Sequence, residues 1–223
     1  MISLDQLLVF SLTSLLLIFT PGPDIIYVLT RGVAQGRTAA LGDAPIMSIA
    51  PLRQAKVGVL VTGTEVFQGL IEDRFAPIIR AKAEALGSMV VGEEFTPDDR
   101  LAIADGVKKL LDLGADLIVT TAGLSVDPDD VTRKGLEDAG MTDALHGAPI
   151  LPGAMTLIGR IGSVQVMGVP ACALFFKTTS LDVLLPRLLA GVPITRRDLA
   201  RIGEGGVCLQ CNTCTYPKCT FAK

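Results

Sequence analysis

Three short acidic stretches in this chain carry the residue types that could hold a phosphorylated ligand through a metal ion. The longest is TTAGLSVDPDDVT, residues 120–132, in which Asp127, Asp129 and Asp130 follow a turn of small residues, Ala122 to Ser125. Small residues let backbone N–H groups approach an anion closely, and a following helix adds the positive end of its dipole. Carboxylates beside the same anion repel it unless a cation stands between them. Mg²⁺ suits that role, because it takes one or two carboxylates and completes its octahedron with waters and phosphate oxygens. TGTE, residues 62–65, and TPDD, residues 96–99, supply a similar mixture of hydroxyls and carboxylates. Singly, each Asp also reads as an ordinary N-terminal charge complementing a helix dipole, and Pro128 as a helix opener. It is the recurrence at neighbouring strand ends that favours a nucleotide or other phosphorylated ligand.

The elements that must position these stretches follow from hydrophobic periodicity. KVGVLVT, residues 56–62, has no polar residue inside it, as expected of a strand buried on both faces. Ile71, Phe75, Ile78, Ile79 and Leu86 then fall at helical spacing, and a second strand is expected around residues 89–91. Thr96 and Pro97 read as the N-cap and first turn of another helix, with Ile103, Val107, Leu110 and Leu111 on one face. ADLIVTT, residues 115–121, is the third strand. Strand and helix alternating with short connections predicts an α/β fold, a mostly parallel sheet covered by helices. In such sheets ligands bind outside the carboxyl ends of the strands, which is where all three acidic stretches fall.

Composition narrows the function. The 223 residues are 49% hydrophobic with a formal net charge of -3, and no Lys/Arg run is present, which argues against a nucleic-acid partner. With no Trp, two Tyr and one His, catalysis must rest on carboxylates, hydroxyls, backbone amides and cysteines. His146 and Cys172 read as structural, the latter as core.

The two ends differ from the middle. Residues 7–19, LLVFSLTSLLLIF, form an apolar helical segment of about 20 Å against a hydrocarbon thickness of about 30 Å. At the other end Cys208, Cys211, Cys214 and Cys219 have the spacing C-x2-C-x2-C-x4-C, near the run that holds bacterial ferredoxin clusters. Four thiolates this close suit an iron–sulfur cluster or tetrahedral Zn²⁺, and clustering rather than scattering of cysteines indicates a cytoplasmic chain. The expected organisation is a hydrophobic helical segment at 1–43, a ligand-binding domain at 44–200 and a Cys-rich metal-binding tail at 201–223.

Residues 1–41, MISLDQLLVFSLTSLLLIFTPGPDIIYVLTRGVAQGRTAAL, resemble the first segment of the LysE/RhtB amino-acid exporters. No further apolar segment of spanning length follows, so the resemblance implies a fragment joined to an unrelated gene, a membrane anchor or a helix packed on the domain. We favour the first; membrane association through residues 7–19 is the second.

The stretches VGVLVTGTEVFQGLIEDRF, EEFTPDDRLAIADGVKKLLDLGADLIVTTAGLSVDPDDVT and VQVMGVPACALFF resemble, in that order, the molybdopterin-binding domain of MogA-, MoaB- and MoeA-like and CinA-type proteins. The likeness runs over about residues 56–189. It implies a three-layer α/β/α domain, often trimeric, that binds molybdopterin and ATP-Mg²⁺ and adenylates the pterin phosphate. The same resemblance implies catalytic, Mg²⁺-coordinating roles for Asp98 and Asp130. It further implies a ligand-binding set of Thr62, Gly63, Thr64, Glu65, Asp73, Thr121, Gly123, Ser125, Asp127 and Pro170. Ala122 and Ala171 stand where the family usually has Gly, and a methyl there would cost about 1 kcal/mol if a positive φ were required. The alternative is a non-catalytic cofactor-binding module that docks a molybdenum or tungsten oxidoreductase through its Cys tail.

Overall fold

A computed structural model describes residues 49–121 and 131–222, besides Ser11 alone near the N-terminus. The apolar stretch at 7–19 and the exporter-like segment therefore lie outside the described residues, as does the acidic loop at 122–130. Residues 1–49 and 50–223 separate into two compact units, of which the second is the subject here. Among the described residues no helix is long and apolar enough to cross a membrane.

Six strands form one sheet in the order β2-β1-β3-β6-β5-β4. They are β1 (Lys56–Thr62), β2 (Met89–Thr96), β3 (Leu117–Thr121), β4 (Met141–His146), β5 (Leu157–Ile161) and β6 (Val164–Val169). β2, β1, β3 and β6 are mutually parallel, and β5 and β4 add an antiparallel edge. The helices are α1 (Thr64–Phe67), α2 (Phe75–Ala85), α3 (Arg100–Asp112), α4 (Thr132–Asp138), α5 (Ser180–Leu189) and α6 (Arg196–Ile202).

Two apolar clusters show why the sheet is sandwiched. Val57, Val59 and Val61 of β1 pack with Ile79 of α2 and Leu181, Leu184 and Leu188 of α5 on one face. Leu60 packs with Ile103, Val107 and Leu110 of α3 and Leu136 of α4 on the other. Alternate residues of β1 thus serve opposite cores, the reason its sequence is apolar throughout. The arrangement is the expected three-layer α/β/α with a mostly parallel sheet.

Two boundaries depart from the periodicity. α2 starts at Phe75, leaving Ile71 58% exposed, because Asp73 accepts hydrogen bonds from the amides of Phe75 and Ala76 at 2.8 and 3.1 Å and so begins the helix there. Thr96 is not a helix N-cap. It is the last residue of β2, paired with Thr62, and Asp99 caps α3 by accepting from the amide of Ala102 at 2.9 Å.

Candidate functional site

The register of the parallel strands brings the candidate residues to one edge. Thr62 pairs with Thr96, Val61 with Thr121, and Thr121 with Val169, so β1, β2, β3 and β6 end nearly level. Thr62, Gly63, Thr64 and Glu65 leave β1 there, Asp98 follows β2, Thr121 ends β3 and Pro170 follows β6. Asp73 reaches the same edge at the start of α2, where its carboxylate serves as the cap described above.

A reciprocal clasp fixes the β1 and β2 turns to each other. The Thr64 amide and hydroxyl both donate to Oδ2 of Asp98, at 2.9 and 3.0 Å, and the Asp98 amide donates back to Thr64 Oγ1 at 3.2 Å. Gly63, with φ 142°, makes the bend, and its amide donates to the Thr96 carbonyl at 3.0 Å. The φ lies where side chains are strained, so Gly is the residue the bend requires. With Oδ2 doubly engaged, Oδ1 of Asp98 has no partner among the described residues. Asp98 borders an open hollow of about 720 Å³ with Asp99, Arg100, Leu101, Val131 and Asp138. Val131 immediately follows Asp130. Arg100 is already committed, its guanidinium paired with both oxygens of Asp138 at 2.7 and 2.8 Å.

One hydroxyl holds both ends of the acidic loop. Thr62 Oγ1 donates to the Thr121 carbonyl at 2.7 Å and lies 3.0 Å from Thr132 Oγ1, all three residues being buried. Thr121 precedes the loop and Thr132 follows it closely. Sequence reasoning missed Thr132, although it stands in the quoted Asp-Asp-Val-Thr; only the fold shows that it turns inward. Thr62→Val should therefore lower stability by about 1–3 kcal/mol, since it orphans a buried carbonyl and hydroxyl. Urea denaturation checks this, and a change under about 0.5 kcal/mol would refute the clamp. The hydroxyls of Thr96, Thr120 and Thr121 are buried beside this edge with no hydrogen-bond partner among the described residues. Such groups normally find one, so polar contacts are available there to a ligand or water. Gly123, Ser125, Asp127 and Asp130 lie outside the described residues.

Pro170 belongs to a different part of the edge. It lines a cavity of about 510 Å³ with Leu151, Gly153, Met155, Cys172 and Cys208, among others. Cys172 is half-buried in that wall rather than in the core, because the chain turns there through a short 3₁₀ helix, Ala171–Leu174; burial pushes its thiol up from the ordinary value. Ala171 is exposed and outside the left-handed region, so the expected cost of its methyl does not arise. His146 ends β4 at the opposite sheet edge from β2, away from Asp98.

The Cys tail folds back onto the domain. Phe221 and Ala222 are buried in the α2/α5 core, and Val207 bridges to Leu151, with the Cys208 amide donating to the Leu151 carbonyl at 2.7 Å. The Tyr216 hydroxyl donates to the Asp182 carbonyl at 3.2 Å, and its ring meets Phe221 edge-on at 6.1 Å. Among the described residues no three His, Cys, Asp or Glu side chains are placed to hold a metal ion, so the tail does not present the metal site, tetrahedral Zn²⁺ or iron–sulfur cluster, that the spacing allowed. The thiols are instead spread around a cavity, with Cys214 Sγ 3.2 Å from Thr178 Oγ1.

Comparison with known proteins agrees with this geometry. A family model described as "Probable molybdopterin binding domain" matches residues 58–190. A CinA-like protein of Thermotoga sp. (strain RQ2) is 36% identical over 78 residues, which are 35% of this chain and 19% of that protein. The chain thus matches about a fifth of the length of this curated relative. Among solved structures, CinA of Thermoplasma acidophilum covers 59% of this chain and 96% of its own, at 17% identity and TM-score 0.53. The molybdopterin biosynthesis enzyme MoaB of Thermus thermophilus covers 64% and 100%, at 21% identity and TM-score 0.51. At these identities the two structures establish the fold, while the matched family model covers more than half of the chain. This chain belongs to the family of molybdopterin-binding domains related to molybdenum cofactor biosynthesis.

Proposed function

We propose that the protein binds molybdopterin and ATP-Mg²⁺ at the carboxyl edge of the parallel strands and transfers the adenylyl group to the pterin phosphate. The observation that carries this is Asp98: the Thr64 clasp holds its carboxylate at an open hollow and leaves Oδ1 without a partner among the described residues. Asp98 suits the metal in chemistry, since Mg²⁺ takes one or two carboxylates and completes its set with water and phosphate oxygens, and Asp130 is proposed as the second carboxylate. The ion would neutralise phosphate charge during transfer. In that transfer an oxygen of the pterin phosphate bonds to the α-phosphorus of ATP, the bond from α-phosphorus to the bridging oxygen breaks, and pyrophosphate leaves with the electron pair.

This chain's own contribution is positioning and polar contact, as in other phosphoryl transfers. Thr62 fixes the ends of the acidic loop, Gly63 and Thr64 set the Asp98 carboxylate, and Thr121 offers a hydroxyl that has no partner among the described residues. Gly123, Ser125 and Asp127 are proposed to line the phosphates, Glu65 to face the ligand from the first turn, and Pro170 to border the pterin. Asp73 acts indirectly by starting α2. A homotrimer accords with the resemblance and a cytoplasmic location with the clustered cysteines, and Phe67, Leu70 and Ile71, exposed by 53, 71 and 58%, give an apolar surface for subunits to cover.

The test is turnover: full-length protein with molybdopterin, ATP and Mg²⁺ should release pyrophosphate and form adenylated pterin, with none when Mg²⁺ is chelated. Pterin binding without any turnover would instead favour a non-catalytic module that carries cofactor to a molybdenum or tungsten oxidoreductase. The docked Cys tail beside Pro170 is the observation favouring that second reading.

A further inference from the structure

No three thiols of the tail are placed to share a metal among the described residues, but disulfide chemistry needs only two. Cys211 and Cys214 have the C-x-x-C spacing that α/β chains use for reversible disulfide formation. The structure adds geometry to the spacing. The chain bends at Asn212 and Thr213, both exposed, and the cysteines on either side of that bend line one cavity of about 280 Å³. Cys208 and Cys211 share the same spacing, yet Leu209 and Gln210 between them form no bend and themselves line the cavity. Cys208 is also tied by its amide to the Leu151 carbonyl. All of these thiols are free.

Cys214 is the sulfur prepared to attack. Its Sγ lies 3.2 Å from Thr178 Oγ1, a hydroxyl whose residue is buried and therefore fixed. A thiolate there accepts the hydroxyl proton in a charge-assisted hydrogen bond. Thr178 directly precedes Thr179, the N-cap of α5, where the positive end of the helix dipole favours an anion. The Thr178 hydroxyl, followed by the Tyr216 backbone, holds the Cys214 thiol below its ordinary value. Cys211 is exposed, so solutes reach the pair from solvent. Phe175 and Leu209, 75 and 76% exposed, also line the cavity and offer apolar surface to the carbon chain of a small disulfide.

We propose that Cys211 and Cys214 form a redox-active dithiol that exchanges with small organic disulfides at this cavity. The Cys214 thiol gives its proton to solvent, and the thiolate attacks one sulfur of the substrate. The substrate S–S bond breaks, and the departing thiolate takes the electron pair and a solvent proton. The Cys211 thiol then loses its proton to solvent and attacks Cys214 Sγ, expelling the second half of the substrate as a thiolate that is protonated in turn. The protein pair is oxidised by two electrons and the substrate is reduced to two thiols. The site is independent of adenylyl transfer and would survive failure of that reading.

Reduced, full-length protein treated with a chelator and then with bis(2-hydroxyethyl) disulfide tests the proposal. Two of the five thiols per chain should disappear, and peptide mapping should find a Cys211–Cys214 link. Cys211→Ser should stop at the mixed disulfide and carry one half of the probe on Cys214. Cys214→Ser should react at least about tenfold more slowly, and Thr178→Val, which keeps the shape but removes the hydroxyl, about threefold more slowly. A link through Cys208 or Cys219 instead, disulfides only between chains, or a folded chain that reacts no faster than the same chain in urea would overturn it. The map of the wild-type chain decides the matter even if a variant fails to fold.

Discussion

Asp98→Asn is expected to reduce adenylyl transfer by about 100-fold or more while leaving the protein folded. The amide oxygen of Asn can still accept from the Thr64 amide and hydroxyl, so the clasp between the β1 and β2 turns survives. What disappears is a negative oxygen facing the hollow, and removing one preorganised electrostatic contact of this kind commonly costs about 10²–10³ in turnover. Pyrophosphate release at saturating ATP, compared with wild type at matched Mg²⁺, reads the effect. Thermal unfolding should move little, by less than about 1 kcal/mol. Turnover within threefold of wild type would remove Asp98 from the catalytic set. Thr64→Val makes a complementary variant: it keeps the charge but loses the hydroxyl, so a smaller loss is expected, confined to orientation.

Gly153→Ala should destabilise the domain by about 2–6 kcal/mol. Two costs combine. Gly153 has φ 120°, where a Cβ is strained by about 1–3 kcal/mol. The new methyl would also lie 2.7 Å from the Ser180 backbone nitrogen and against its side chain, at the start of α5. Overpacking of that order adds about 1–3 kcal/mol. The loop cannot easily retreat, because the Ser180 amide donates to the Pro152 carbonyl at 3.0 Å and Thr156 donates to the Gly153 carbonyl at 2.7 Å. Gly63→Ala supplies an internal control: its φ is also positive but a Cβ there meets no atom of the described residues within 4 Å, so the strain alone is expected. Chemical denaturation of the two variants should therefore rank Gly153→Ala well below Gly63→Ala, and equal midpoints would show that packing against Ser180 is not what the position requires.

Strands buried on both faces were legible in the sequence because their signal is local. The bounds of β1 agree with the apolar run at 56–62, and Thr121 ends β3 where the run stops. The inner face of α3 was legible for the same reason, Ile103, Val107 and Leu110 being fully buried. The antiparallel edge was not resolved as strands, since Met141–His146 carries exposed Thr142 and Asp143 and has a neighbour on one side only. At the site, the turn residues were legible as types and their joining was not. Thr64 and Asp98 are 34 positions apart, and Thr62 and Thr132 are 70 apart, distances over which only the sheet register brings them together. The tail shows the same limit: spacing announced the cysteines, while their arrangement around one cavity depends on Phe221 docking in the core and Tyr216 on α5.

The Thr62 clamp also alters the thermodynamics of whatever the acidic loop receives. Nine residues lie between Thr121 and Val131, and bringing the ends of a free segment of that length together costs about 2 kcal/mol of chain entropy. Because the hydrogen-bonded chain from the Thr121 carbonyl through the Thr62 hydroxyl to the Thr132 hydroxyl is built into the folded core, that cost is met once, at folding, and does not recur in each binding event. By the same arithmetic, about 2 kcal/mol corresponds to roughly thirtyfold in affinity. A threonine that need never touch the ligand can therefore set how tightly it is held.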